Sequence, residues 1–173
     1  DAGSVSATIA SATGGNFESL AINPAAATTS ISDTLDAVTV SLTATPSVTE
    51  GGSIIYTASL TSPAQTPVTV TLDNGAMITV AAGTSSGTVS VAAPADDVYI
   101  DAGSVSAIIA STLGGNFENL LVDSTPATTS VSDTTDTTTI SLTATPSVAE
   151  GGSIVYTASL TNAAQSPTTV TLS

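Results

Sequence analysis

Apolar and polar residues alternate with a period of two through most of this chain. Val38, Val40, Leu42 and Ala44 are interleaved with Thr and Ser, as are Ile54, Tyr56, Ala58 and Leu60. Val68, Val70 and Leu72 continue the pattern, followed by Ile78 and Val80, Val89 and Val91, then Val105, Ala107 and Ile109. Successive side chains of a strand point to opposite faces, so this spacing predicts half-buried strands with one face on a core. The alternating runs are rich in β-branched residues and are separated by Gly, Pro and Asn, as antiparallel strands joined by turns require. The strands fall at 38–44, 53–61, 67–72, 76–80, 86–92, 103–111 and 126–132.

Seven short strands within about 100 residues predict an all-β, immunoglobulin-like antiparallel sandwich. The chain contains no Cys and no Trp, so the expectation is the sandwich architecture and not an antibody domain. Residues 1–73 align with 101–173 without a gap, and 51 of the 73 pairs are identical. A period of that length corresponds to a whole small domain repeated in tandem, not to a solenoid unit. The expected division is a complete sandwich over 37–136, the last two strands of a preceding repeat over 1–36, and the first three strands of a following repeat over 137–173.

Composition narrows the chemistry. The 173 residues include 14 acids and no Lys, Arg or His, for a formal charge of −14. Without a basic residue there is nothing to neutralise phosphates, which argues against nucleic acid and against anionic membranes as partners. The absence of His, Cys and Lys removes serine and cysteine triads, thiolate or imidazole metal sites, disulfides, P-loops and Schiff bases. No apolar run approaches the ~18 residues of a membrane span, and no basic segment marks a signal peptide. What remains is carboxylates, hydroxyls and backbone carbonyls, the ligands of hard cations and above all of calcium.

Strand parity sorts those carboxylates. In an up-and-down seven-stranded sandwich the first, third and fifth connections and the C-terminal exit share one end. Glu50, Asp73, Asp96, Asp97, Asp101, Asp133 and Asp136 all fall there, whereas Glu118 and Asp123 fall at the other. A single loop acid is ordinarily just solvated. Seven at one end of a fold with no cation repel one another, and bound calcium ions, each taking six to eight oxygens, would offset that repulsion. The repeat extends the candidate set to Asp1, Asp33, Asp36 and Glu150 at equivalent positions. An extra strand at 120–122 would alter the parity of the exit. No EF-hand loop or calcium β-roll nonapeptide is present. The Asp101-Ala102-Gly103 triplet is expected to be a loop Asp before a strand, not a protease motif. Few aromatics are available as sugar platforms, and the Thr-rich faces are ordinary strand surface before they are an ice-binding face.

The runs "SLTATPSVTEGGSIIYTASL" (41–60), "GTVSVAAPADDVYIDAGSVSA" (87–107) and "SVSDTTD" (130–136) resemble the tandem extender repeats of giant repeats-in-toxin adhesins, the LapA-type biofilm proteins of Gram-negative bacteria. The acid pattern is also similar to the Calx-β sandwich, in which Glu50, Asp73, Asp96, Asp97, Asp101, Asp133 and Asp136 would bind calcium. The spaced acids after the last strand depart from the contiguous Asp run of that family. The resemblance implies type I secretion, a cell-surface location and a non-enzymatic spacer role. The leading expectation is therefore a monomeric, calcium-rigidified stalk whose partners are calcium and neighbouring repeats of the same chain. The alternative is a calcium-dependent module that binds carbohydrate or another matrix component.

Overall fold

The computed structural model describes residues 2–173 and contains strands, turns and loops, with no helix among the described residues. The protein is an all-β sandwich built mainly from antiparallel strands. The strands are β1 (Gly3–Ala7), β2 (Ala27–Ile31), β3 (Ala37–Ala44), β4 (Ser47–Thr49), β5 (Ser53–Leu60), β6 (Val68–Leu72) and β7 (Met77–Val80). They continue with β8 (Ser86–Ala92), β9 (Gly103–Ala107), β10 (Ile109–Gly114), β11 (Asn119–Val122), β12 (Ala127–Ser132), β13 (Ile140–Ala144) and β14 (Tyr156–Leu160).

One face of the sandwich is the sheet β11-β3-β5-β8. The other consists of β4-β12-β9 and β10-β6-β7, and β9 and β10 are consecutive in the chain with Ile108 between them. Val40, Ile54, Tyr56, Ala58, Val68, Val70, Ile78 and Val80 are fully buried between the faces. These are the inward positions of the period-two pattern, so the alternation in sequence became burial in the fold. Aliphatic packing of this kind contributes on the order of 25 cal/mol per Å² of apolar surface removed from water.

Three departures from simple strands shape the molecule. The first predicted strand ends as β3 at Ala44, and beyond Pro46, which has no N–H to offer a ladder, comes a further strand, β4, that the alternation did not predict. Before Pro46, Thr45 pairs with Ile55 through its backbone N–H and its hydroxyl. After it, the chain crosses to the opposite sheet, where β4 lies parallel to β12. The buried Thr129 hydroxyl donates to the Thr45 carbonyl at 2.6 Å and Ser130 N–H to the Pro46 carbonyl at 3.0 Å, fastening the crossing. The sixth predicted strand is broken at Ile108, whose N–H and carbonyl are both satisfied by Asp73 instead of a strand neighbour.

The third departure is β11, which pairs parallel with β3 before the chain switches sheets into β12. Asp123 makes the switch: its Oδ1 accepts from the Thr125 N–H and hydroxyl, and these bonds hold its carboxyl below the ordinary value despite some desolvation. Because β11 runs parallel to β3 and β12 runs parallel to β4, both travel in the same direction. The extra strand therefore leaves the C-terminal exit at the acidic end.

Equivalent registers recur 100 residues apart. Gly3 pairs with Ile31 as Gly103 does with Val131, and Ile140 with Leu160 as Val40 does with Leu60. Burial does not recur. Tyr56 is fully buried, whereas Tyr156 is 54% exposed, because β13 and β14 have no facing sheet.

Replacing Thr129 with Val keeps the volume but removes the donor to Thr45 at the sheet crossing. Urea unfolding should show a loss of about 1–2 kcal/mol with an unchanged m-value. An unchanged midpoint would mean the crossing is held by Pro46 and the ladder alone.

Candidate acidic site

Glu50, Asp101 and Asp133 are far apart in sequence, and strand register brings them together. In the parallel pair β4–β12, Thr49 lies beside Ser132, so the next step sets Glu50 beside Asp133. Glu50 N–H donates to the Ser132 carbonyl at 3.1 Å and continues the ladder. On the other side of β12, Val131 pairs with Gly103, and two further steps set Asp133 opposite Asp101. Three adjacent strands thus end in an acid at the same level. One carboxylate oxygen from each lies within 4.8 Å of the others.

The site is not a solvated patch. Glu50 is only 6% exposed, and its Oε2 is buried with no hydrogen-bond partner. Asp133 is half-buried and its Oδ1 is likewise buried without a partner. Asp101 is exposed and closes the cluster on the solvent side. A hydrogen bond that the protonated Glu50 carboxyl gives to Asp101, then burial, then the charges of Asp101, Asp133 and Asp97 push the Glu50 carboxyl up to about 7. Such a group holds a proton or awaits a cation.

Loop 93–102 packs over Glu50 through Gly51, whose φ of +69° favours glycine. Gly51 N–H donates to the Pro94 carbonyl at 2.7 Å, and a Cβ on Gly51 would stand 3.6 Å from the Cβ of Asp96. Asp96 accepts a short hydrogen bond from the Thr134 hydroxyl, tying this loop to the segment after β12. Asp97 Oδ1 accepts the Tyr99 N–H at 2.7 Å, while its charge still reaches Glu50.

The remaining candidates lie elsewhere. Asp73 lies outside the three-acid cluster, at the break between β9 and β10, where its Oδ1 accepts the Ile108 N–H at 3.1 Å, seven residues along the chain from Asp101. Its charge adds to burial in raising the pKa of the Tyr56 phenol, whose oxygen has no partner among the described residues. Asp136 is exposed and outside the cluster. Asp36, its equivalent, gives its backbone N–H to Glu118 Oε2 at 2.8 Å, at the opposite end of the sandwich. Asp33 and Glu150 are exposed, and Asp1 lies outside the described residues.

Sequence reading missed Gly51, Thr134 and the linker contact of Glu118. The Glu-Gly-Gly run at 50–52 was the available signal for the first. The other two are contacts over 38 and 82 residues, which no local pattern encodes.

The raised Glu50 value fixes a sign for the metal-free protein. The folded state keeps a proton that the unfolded chain releases above about 4.5, so stability falls as pH rises from about 4.5 to about 7. Thermal melts in chelator should therefore show a higher melting temperature at pH 5 than at pH 7.5. Glu50→Gln should raise the pH 7.5 value and flatten the dependence. A pH-independent wild type would show that the three carboxyls do not interact.

The LapA domain family model matches the chain in three stretches, residues 1–34, 36–134 and 136–173. No curated protein matches it. The family is one of biofilm adhesins, non-enzymatic in kind and of the cell surface or exterior. Matched along nearly every residue by that model, the chain belongs to the LapA domain family.

Proposed function

We propose that this chain is part of the stalk of a secreted adhesin, in which calcium bound where one repeat meets the next holds the array extended. The observation that carries this reading is the pair of buried, unpartnered carboxylate oxygens on Glu50 and Asp133. They lie in one cluster with Asp101, in a chain that has no cation of its own. Among the described residues no basic side chain stands beside them.

The donor set suits calcium. All three groups are hard carboxylate oxygens, and the chain has no imidazole or thiolate to favour a transition metal. Two oxygens bound to one calcium at ~2.6 Å can stand up to ~5.2 Å apart, which accommodates the observed cluster; two on magnesium at ~2.1 Å reach only ~4.2 Å. Asp97 and loop carbonyls would complete the coordination. The mechanical consequence follows from position. Asp133 begins the short linker into the next repeat, and Glu50 and Asp101 belong to the body of the preceding one. An ion shared among them ties linker to body and removes the freedom of a flexible tether.

Calorimetric titration should show calcium uptake that is lost in Asp101→Asn with Asp133→Asn, with magnesium a poor substitute. An ion bound only by the folded state at a hundred to a thousand times Kd would add on the order of 3–4 kcal/mol, so melting should shift down clearly in chelator. No heat and no shift would remove calcium from this reading. Small-angle scattering on four consecutive repeats should show a larger maximum dimension in calcium than in chelator. Equal dimensions would leave the ion a role in stability alone.

A further inference from the structure

The acidic end of the complete repeat carries more than carboxylates. In loop 93–102, Val98 and Tyr99 are half-buried, and the Tyr99 hydroxyl donates to the Ala163 carbonyl at 2.7 Å across the boundary to the next repeat. Ile100, next in the chain, is 93% exposed, more than any other large apolar side chain among the described residues. Tyr99 and Ile100 line a cavity of about 400 Å³ against Thr138, Leu160 and Asn162.

The opposite end of the complete repeat has a groove of about 250 Å³ lined by Asp36, Val38, Pro63, Gln65, Phe117 and Glu118. Its two walls are joined. Gln65 N–H donates to the Gly115 carbonyl at 3.2 Å, Asn116 Nδ2 to Gln65 Oε1 at 2.6 Å, and Gly115 N–H to the Thr66 hydroxyl at 3.1 Å. The 100-residue offset places Thr138 on Val38, Asn162 on Ser62 and Ala163 on Pro63. The surface that Tyr99 touches is thus the counterpart of the first wall of this groove.

We propose that Tyr99 and Ile100 of each repeat dock into the groove between Pro63 and Phe117 of the following repeat. Tyr99 addresses a backbone carbonyl, which every residue supplies, so the Pro63/Ala163 difference between copies does not affect it. Ile100 gains an apolar wall in Phe117, itself only half-buried in the complete repeat. The Glu118 carboxylate is occupied by the Asp36 N–H, so the groove fixes the end of the incoming linker as well. This docking goes beyond the calcium reading, since it uses none of the three clustered carboxylates.

The test joins two copies of 37–136 head to tail, which the repeat period permits without added residues; each copy encloses its own core. The chain has no Cys, so Ser90→Cys on exposed β8 in each copy accepts one spin label per repeat. In calcium, the inter-label distance distribution should be narrow. Ile100→Ser or Tyr99→Phe in the first copy should widen it about twofold or more, toward that of a flexible tether. The melting temperature and calorimetric calcium uptake should stay unchanged. A distribution that stays narrow in both variants, or is already broad without them, overturns the docking. Widening in a protein that takes up no calcium would uphold the docking while the metal reading fails. Calcium uptake with no effect of Ile100→Ser would do the reverse.

Discussion

Fourteen carboxylates share this chain with no Lys, Arg or His, so none can be paired with a basic side chain. Most are at strand ends and in loops, where water screens them. Glu50 is the exception, because the parallel pairing of β4 with β12 carries it below the surface beside Asp133. A buried carboxylate without a partner is among the costlier groups a protein can hold. On the proposed calcium reading, the geometry around it would receive an outside charge, and the stability of this end of the sandwich would depend on that ion.

The sheet crossing at Pro46 is what creates the situation. Had the first strand run straight on in the β3–β5 sheet, Glu50 would have ended on the far face from β12. Pro46 ends one ladder, and Thr129 and Ser130 receive the chain on the other. The small sheet β4-β12-β9 is therefore both part of the core wall and the frame that sets three acids at one level. Its middle strand is also the one that leaves for the next repeat. Force passing along the chain enters the sandwich through the strand whose end carries Asp133.

The two ends of a repeat divide their tasks. One presents the clustered acids together with Tyr99 and Ile100; the other presents a preformed groove and Glu118 on the incoming linker. Polar and apolar contacts at a junction respond to different conditions, since ion binding would depend on calcium activity and pH whereas apolar burial does not. In the proposed stalk, a junction that used both would have a geometry less exposed to any single change in its surroundings.

Sequence alone determined the strands, because burial on one face imposes a period of two that survives in residue types. It determined the tandem repeat by simple identity, and the oxygen-only ligand chemistry by the absence of His, Cys, Lys and Arg. Parity grouped seven acids by loop order, and β11 left the C-terminal exit with Asp133 at the end of Glu50 and Asp101 because it runs in the direction of β12. Which acids meet was decided only in three dimensions. Asp73 was drawn off to the break at Ile108, Asp36 gave its N–H to Glu118, and Asp136 remained outside the cluster. Glu50, Asp101 and Asp133 converged through register across three strands. Register is a relation between segments distant in sequence, fixed by how two sheets share a core, and no local pattern of residues contains it.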